Sequence, residues 1–411
     1  MPSRRAADST TLTIQELQAA YLAHFDLGPG YPQLPVSSYA RSIYLDDALE
    51  DLSLRFAPFW TPHKQQRVAH DLEHSVASFL DLPSSKYASM HSTFSGSIAL
   101  DRIISAVQRL ARNRKLTGLR VIGTTPCIDI MDLFLAERID ISRVYARSQA
   151  NGQFGSLDAD RILQLLAEAE ADSDTTQTVL LLSSPENPTG AVWASDQLAT
   201  LALRCKEASA VLIVDHCFVV AGIHDVSVPR IWDHAPSGLN WCAVWDTGKT
   251  FGLNEDKLGI LISGSEIISD NIRDSMAVLQ FDVARRQKLF FAELLRQADY
   301  HDHIGSLRSI CRTNLETLTH QIDRNSVCSV VVPSAGTLAL IDVSQTGVSD
   351  EVLRVALLKA QIGVVAGNVF FHDDWCPTNY LRIALARDPE HFAKAIERMC
   401  SVIQTVGGKA K

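Results

Sequence analysis

The chain has 411 residues, of which 46% are hydrophobic and 21% charged, and its formal net charge is -9. These values are typical of a folded globular protein with two or more domains and a large core, and they argue against disorder. An acidic balance without a dense basic run excludes a nucleic-acid footprint, and no apolar run approaches the roughly 20 residues that a membrane span needs. We therefore expect a small-molecule partner, with neither nucleic acid nor membrane.

Cysteine usage and the N-terminal segment indicate the compartment. The eight cysteines are scattered without CxxC spacing, and several lie in apolar runs, which favours free buried thiols over disulfides or a zinc site. The start MPSRRAADSTT has no apolar stretch behind its two arginines, so it predicts a loose tail and not a secretory signal. We expect a cytoplasmic protein without a metal.

In chain order, residues 12–24 have apolar positions at helical spacing, and the Pro- and Gly-rich DLGPGYPQLP then predicts an extended arm. From about residue 88 to 264, helical stretches alternate with short apolar strands such as LRVIG, TVLLLS, VLIVD, CAVWD and GILISG. This alternation predicts an α/β fold with a mainly parallel sheet covered by helices on both faces. The later pattern of helices and strands predicts a smaller α+β domain. The expected divisions are an N-terminal arm or lid over 1–45, a large domain over 46–280 and a small C-terminal domain over 281–411.

Ligands of doubly wound sheets bind beyond the carboxyl ends of the strands, and a serine- and glycine-rich turn occupies such a place. The turn STFSGS opens directly into a helical stretch. Its amides, the hydroxyls of Ser95 and Ser97 and the positive end of the helix would together hold a phosphate. A serine N-cap without any ligand is the alternative.

Three further strand ends carry polar groups. SPENPTG follows TVLLLS and presents the amide of Asn187, which ordinary turn chemistry also explains. Asp215 ends VLIVD, and a buried carboxylate must be paired, either by a cationic ring nitrogen or by a cap or salt bridge of the protein itself. Lys249 lies in the polar turn between two apolar strands, with Lys257 eight residues later. We expect Lys249 to project into a cleft, although solvated surface lysines are the commoner case.

This ordered set, together with GVVAGNVF and YLRIALAR near the end, resembles the fold-type I pyridoxal phosphate enzymes of aminotransferase class I/II. The resemblance implies that Lys249 forms the Schiff base, that Asp215 keeps the pyridine nitrogen protonated and that Asn187 bonds the ring phenolate. It also implies that Arg382 clamps the substrate carboxylate, for which a surface ion pair is the alternative. The implied cofactor contacts are Ser95, Gly96, Ser97, Ile128, Asn187, Asp215, Cys217, Lys249 and Lys257.

The resemblance further implies a homodimer, since such sites are generally completed across a dimer interface. Phe59 or Trp60 is a candidate to reach the partner's cofactor, with core packing as the alternative.

Several positions depart from the common aminotransferase pattern. Phe218 stands three residues after Asp215, where those enzymes usually have a tyrosine that bonds the ring oxygen. Asp246 stands three residues before the lysine in place of a small hydroxyl residue, and Lys257 replaces the usual arginine. In TPCIDI, where an aromatic ring often stacks on the cofactor, Ile128 would give apolar contact instead.

These departures resemble a narrower subgroup, the pyridoxal phosphate- and dioxygen-dependent arginine oxidases and hydroxylases. The matching segments are PCIDI, DHCF, DTGK and RIALAR, and LTIQE resembles that subgroup's segment that folds over the substrate. Thr13 and Glu16 would then be lid residues, with Asp246 and Glu16 as candidate anions for a cationic substrate side chain; an ordinary amphipathic helix is the alternative. The subgroup has an acid and a histidine where this chain has Pro29 and Tyr31.

Three hypotheses follow. The first is a pyridoxal phosphate enzyme that forms a Cα quinonoid from an L-amino acid and then oxidises, hydroxylates or rearranges it at Cβ or Cγ, with O2 as a possible co-substrate. The second is an aminotransferase that passes the amino group to a 2-oxo acid. The third is a non-catalytic protein that binds pyridoxal phosphate.

Overall fold

The computed structural model describes residues 23–46, 62–128, 135, 138, 140–147, 157–171, 174–221, 223, 227–279, 283–299, 301–324, 327–372 and 379–407. Thr13, Glu16, Phe59 and Trp60 lie outside these residues, so the predicted lid and partner contacts stay predictions. The described arm contains a short strand, β1 (Phe25–Asp26), and a helix, α1 (Ser38–Tyr44). The Ser37 hydroxyl caps α1 by accepting from the Ala40 amide.

A seven-stranded sheet forms the centre of the large domain. Its strands are β2 (Ser89–Thr93), β3 (Gly118–Thr125), β4 (Ile141–Arg147), β5 (Thr176–Ser183), β6 (Val211–Asp215), β7 (Trp241–Asp246) and β8 (Gly259–Ser263). They lie in the order β2–β8–β7–β6–β5–β3–β4, and only β8 runs antiparallel to its neighbours. Every residue of β6, β7 and β8 is buried, because helices cover both faces. The predicted α/β fold with a mainly parallel sheet is confirmed.

The helices of this region are α2 (Pro62–Phe79), α3 (Gly96–Asn113), α4 (Asp160–Glu170), α5 (Ser195–Glu207), α6 (Ile231–His234), α7 (Gly248–Phe251), α8 (Glu266–Leu279) and α9 (Arg285–Ala298). Helix α3 buries Ala99, Ile103, Val107 and Leu110 at helical spacing and packs with α8 on one face of the sheet. The opposite face holds a second core, which contains the three fully buried tryptophans Trp193, Trp232 and Trp245.

The small domain is built on an antiparallel sheet. Its elements are α10 (His303–Asp323), β9 (Ser329–Val331), β10 (Leu338–Asp342), α11 (Asp350–Lys359), β11 (Ile362–Gly363), β12 (Val365–Ala366), β13 (Tyr380–Ala384) and α12 (Pro389–Gly407). The sheet order is β12–β13–β10–β9. The arm joins this domain because β1 pairs in parallel with β11, Phe25 lying opposite Ile362.

Helix α9 shows where sequence periodicity reaches its limit. The sequence places residues 281–411 in the small domain, yet Phe290, Phe291 and Leu294 of α9 pack into the core of the large sheet. An amphipathic pattern predicts that a helix has a buried face, but it does not identify the core that receives that face. The packing favours a large domain that continues through α9, and the boundaries themselves stay predictions.

Two further sequence expectations bear on the fold. Among the described cysteines all are free, and Cys328 alone is only partly buried. No helix in the described part of the chain is long and apolar enough to cross a membrane.

Candidate active site

A cavity of about 240 Å³ opens beyond the carboxyl ends of β5, β6 and β7. Its walls come from these strand ends, from the start of α3, from β13 and from the arm. It is lined by Pro29, Gly30, Tyr31, Gly96, Ser97, Leu100, Ile128, Asn187, Asp215, Cys217, Phe218, Val244, Asp246, Lys249, Asn254, Lys257 and Arg382. Apart from Ser95, every described residue that the sequence predicts for the site lines this one cavity.

Lys249 follows the buried strand β7 and lies in the short helix α7. Desolvation lowers the pKa of Lys249, and the nearby Asp246 carboxylate opposes that shift. A lowered pKa increases the fraction of neutral amine, which is the nucleophilic and proton-accepting form. Lys249 therefore lines the cavity with a lowered pKa, which would suit the Schiff-base role that the sequence predicts for it.

Asp215 ends β6 and is buried with its carboxylate against the cavity. One oxygen, Oδ1, accepts from the Cys217 amide at 2.9 Å. Burial raises the pKa of Asp215, whereas hydrogen bonds from Cys217 and the charge of Lys249 lower it. A buried carboxylate in this position suits a cationic donor in the cavity.

Asn187 and Arg382 form a pair across the cavity. The Arg382 Nη1 donates to Asn187 Oδ1 at 3.1 Å, and its Nη2 donates to the Gly28 carbonyl of the arm at 2.8 Å. A guanidinium can only donate, so Oδ1 of Asn187 must face it, and Nδ2 is the end that remains to donate elsewhere. Arg382 is only 3% exposed and stacks on Phe370, with Cζ 4.8 Å from the ring centroid.

The turn that carries Asn187 depends on a close approach between the domains. Gly190 has φ +68°, and a Cβ on it would lie 2.3 Å from Pro333 Cβ and 2.6 Å from the Ala335 carbonyl oxygen. Only glycine fits this left-handed position against the small domain without strain. Thr189 closes the turn by donating its hydroxyl to Glu186 Oε2 at 2.6 Å.

Asp246 joins the two halves of the predicted cofactor site. Its Oδ2 accepts from the Gly96 amide at the start of α3 at 2.9 Å, and its Oδ1 accepts from the Gly248 amide at 2.8 Å. Both oxygens therefore already bind backbone donors. This arrangement favours a role in holding the lysine turn against α3 over the predicted contact with a cationic substrate side chain, which stays a prediction.

The start of α3 offers fewer free donors than the sequence suggests. Ser95 lies outside the cavity lining, and its Oγ caps the helix by accepting from the Ile98 amide at 3.2 Å. Its predicted phosphate contact stays a prediction. Ser97 is exposed at the cavity, and the nearby Lys257 donates from Nζ to Asn254 Oδ1 at 2.9 Å.

Phe218 forms an apolar wall beside the lysine. The Lys249 Nζ lies 5.8 Å from the centroid of its ring. On the other side, a Cβ on Gly30 of the arm would be 3.7 Å from Phe218 Cζ. The ring thus lies between the reactive amine and the arm, with no hydroxyl to donate.

Sequence reasoning missed the residues that shape the arm side. Arg387 is 2% exposed and donates Nε to the Asp26 carbonyl, Nη1 to the Tyr31 and Ala386 carbonyls and Nη2 to the Pro29 carbonyl, at 2.8 to 3.0 Å. It thereby holds the arm segment that lines the cavity. Asn254 was also missed. It lies five residues after Lys249 in no motif, whereas Arg387 ends the recognised segment YLRIALAR.

Comparison with known proteins shows the family of the chain. The model of a family described as aminotransferase class I and II matches residues 131–399. The chain belongs to the aminotransferase class I and II family. Its cofactor is accordingly pyridoxal 5'-phosphate, and it is an enzyme of fold type I.

Individual relatives are distant. A probable aspartate/prephenate aminotransferase of Aquifex aeolicus is 23% identical over 261 residues, which cover 61% of this chain and 64% of the relative, so the match spans under two thirds of that protein's length. A structure of MppP soaked with the product 2-ketoarginine has a TM-score of 0.71 and 18% identity, covering 92% of this chain and 99% of that one. A PLP-bound putative aminotransferase from Clostridium difficile has a TM-score of 0.73 and 15% identity, covering 96% and 97%. These structural likenesses show the shared fold.

The cavity fits the cofactor at both of its ends. A buried carboxylate, Asp215, suits a protonated ring nitrogen, and the amine of Lys249 has a lowered pKa that suits covalent attachment to an aldehyde. Ser97 and Lys257 provide donors at the other end, where a phosphate would need them.

Proposed function

We propose that the protein acts on an L-amino acid and that Lys249 carries the cofactor. The observation that supports this most directly is the convergence of Lys249, Asp215, Asn187 and Arg382 on one cavity from separate elements. When bound, pyridoxal phosphate supplies an electron sink for negative charge at the substrate Cα.

The residues divide the work between the two ends of the cavity. Asp215 would hold a proton on the pyridine nitrogen, because its buried carboxylate is stabilised by a cationic neighbour. Asn187 Nδ2 would donate to the ring oxygen, since Arg382 fixes Oδ1. Lys257 and Ser97 would hold the phosphate.

Arg382 would bind the substrate carboxylate with its planar fork while remaining bonded to Gly28 and Asn187. Lys249 Nζ, with its lowered pKa, would accept the proton from Cα and return it later. The arm residues Pro29 and Tyr31 would limit water access above the substrate.

For the overall reaction we infer oxidation of the amino acid by O2. The observation that favours it is Phe218, which presents an apolar ring beside Lys249 in place of a hydroxyl donor. DTGK at the lysine and the likeness in fold to MppP are consistent with this inference. The second candidate is transfer of the amino group to a 2-oxo acid, which the aminotransferase relatives favour. A homodimer and a cytoplasmic location stay predictions.

The decisive experiment follows two products in parallel. The holoenzyme is incubated with each L-amino acid in air-saturated and in anaerobic buffer, with and without 2-oxoglutarate, while O2 uptake and glutamate formation are measured. Oxidation predicts O2 uptake that is independent of 2-oxoglutarate and turnover that ceases without O2. Undiminished anaerobic turnover with stoichiometric glutamate would exclude it in favour of transamination. If no amino acid reacted and Lys249→Ala kept the visible cofactor band, the catalytic proposal itself would fail.

A further inference from the structure

The turn after Lys249 presents an amide that the proposed function leaves unused. Asn254 lines the cavity, and its Oδ1 accepts from Lys257 Nζ at 2.9 Å. An ammonium group only donates, so the oxygen must face it and the Nδ2 group is the free end of the amide. Within the described part of the chain, Nδ2 has no acceptor.

The turn lies close to the arm at one end and is hydrogen-bonded to α9 at the other. Gly252 has φ +68°, and a Cβ on it would lie 2.9 Å from the Pro32 carbonyl oxygen of the arm. At the other end, Gln287 of α9 donates from Nε2 to the Lys257 carbonyl at 3.0 Å. The hydrogen bond from Lys257 and the bond from Gln287 to the Lys257 carbonyl therefore orient the Asn254 side chain toward the cavity in the protein alone.

The phosphate end of the cavity needs this donor. At the start of α3 the Gly96 amide already donates to Asp246, and the Ile98 amide donates to Ser95 Oγ. Ser97 is left to offer its amide and hydroxyl. Lys257 adds a point charge with no bidentate fork, and the Asp246 carboxylate nearby repels an anion.

We propose that Asn254 binds the phosphate of the cofactor through Nδ2, as a ligand in its own right beside Lys257. The proposal rests on the proposed function only in requiring the phosphate at this end of the cavity. Asn254 and Asn187 are arranged alike. In both, a cationic side chain donates to the amide oxygen, so the amide nitrogen is directed toward the cavity.

The test compares two aldehydes that differ only in the phosphate. Apo-protein of the wild type and of Asn254→Ala is titrated with pyridoxal phosphate and with pyridoxal, and the dissociation constant of each is measured by absorbance. We expect Asn254→Ala to weaken pyridoxal phosphate roughly tenfold, as loss of one hydrogen bond to a charged group does, with pyridoxal changed less than twofold. The exposed Asn113 at the far end of α3 supplies the matched control, and Asn113→Ala should change neither constant.

Two further variants keep the result interpretable. Asn254→Asp retains the shape but puts an anion beside the phosphate, so it should weaken pyridoxal phosphate more than the alanine variant does. In a Lys257→Ala background, Asn254→Ala should still weaken the binding of pyridoxal phosphate several-fold. If Asn254→Ala caused no further loss of affinity in that background, Asn254 would only orient Lys257. If Asn254→Ala weakened the binding of both aldehydes equally, the substitution would have disturbed the turn itself. Either result overturns the proposal.

Failure of the proposed function would look different. If wild-type apo-protein bound pyridoxal phosphate no more tightly than pyridoxal, the phosphate site as a whole would be wrong and Asn254 with it. If Asn254→Ala weakened pyridoxal phosphate as expected while no amino acid reacted, Asn254 would be confirmed as a phosphate ligand and the proposed reaction would be wrong.

Discussion

The two sides of the cavity use buried charge in opposite ways. On the sheet side, Asp215 ends one buried strand and Lys249 follows another, and both line the cavity. On the arm side, Arg387 donates to four backbone carbonyls, three of them in the arm, so its charge is used to hold the chain in place. Arg382 joins the sides by bonding both Asn187 and Gly28. The groups proposed to react thus come from the sheet, and the arm forms part of the cavity wall.

The largest expected effect is on the sheet side. Lys249→Ala should abolish covalent attachment of the cofactor and lower kcat by on the order of 10³-fold, because both the attachment point and the proton acceptor are lost. Borohydride reduction followed by peptide mass spectrometry checks the attachment. Lys257→Ala is the matched control, and it should retain the label at Lys249 while binding the cofactor more weakly. A reduced adduct on another lysine in the wild type would contradict the assignment.

Substitution of Arg382 tests the connection between the sheet side and the arm side of the cavity. Arg382→Lys keeps the charge but loses the fork, so kcat/KM for the amino acid should fall by about 10²-fold, mainly through KM. The affinity for pyridoxal phosphate alone should change little. Because the same substitution frees Asn187, a large loss of cofactor affinity with an unchanged KM would instead assign Arg382 to the cofactor and not to the substrate carboxylate.

Arg387 tests the arm side, where we expect a loss of stability. Arg387→Met removes the guanidinium that donates to the buried Pro29 carbonyl and to the partly buried Asp26 and Tyr31 carbonyls, which should lower the free energy of unfolding by about 3 kcal/mol. Urea unfolding measures this change in the free energy of unfolding. Arg161→Met is the control, since its ion pair with Glu168 is exposed and the change should stay within about 0.5 kcal/mol. If Arg387→Met changed the free energy of unfolding as little as Arg161→Met does, the hydrogen bonds of Arg387 would not stabilise the arm.

The same contrast explains how much of the site was predictable from sequence. The sequence predicts Asp215 at the end of a strand and Asn187 and Lys249 in the segments that follow strands, and the structure has them there. Short apolar runs predict strands, and parallel strands bring their ends together. Arg387 is hydrogen-bonded to arm residues more than 350 positions away in the sequence, and Asp246 is hydrogen-bonded to Gly96, 150 positions away. No local pattern contains such pairs. Packing of α9 into the large core was missed for the same reason.

Asp246 shows a subtler limit. From its type and its position beside the lysine, the sequence predicts a contact with a cationic substrate side chain. The structure gives both carboxylate oxygens backbone partners at the start of α3 and in the lysine turn. Sequence identifies which group is present, whereas its hydrogen-bond capacity is settled only by the fold.

The smallest expected effect concerns acid stability on the sheet side, next to Asp215. His216 is fully buried, with Nδ1 donating to the Ser184 carbonyl at 2.8 Å and Nε2 accepting from the Ile231 amide at 3.1 Å. Burial lowers the pKa of His216 to about 4, whereas the unfolded chain protonates near its ordinary value of 6.5. The unfolded state therefore binds more protons between these values, so stability falls as the pH drops from 6.5 towards 4.

For His216 alone the loss between pH 7 and pH 5 should be about 2 kcal/mol, measured by urea unfolding at both pH values. His216→Gln can keep one donor and one acceptor but cannot titrate, so it should reduce the pH dependence by that amount. The exposed His320 provides the control for replacing a histidine, and His320→Gln should leave the free energy of unfolding at pH 7 unchanged. Since burial also lowers the pKa of His91, to about 4, and that of His303, some acid sensitivity should persist in His216→Gln and should decrease further when His91 is replaced as well. An unaltered pH dependence in His216→Gln would show that the ring is protonated in the folded protein, with Ile231 left without its acceptor.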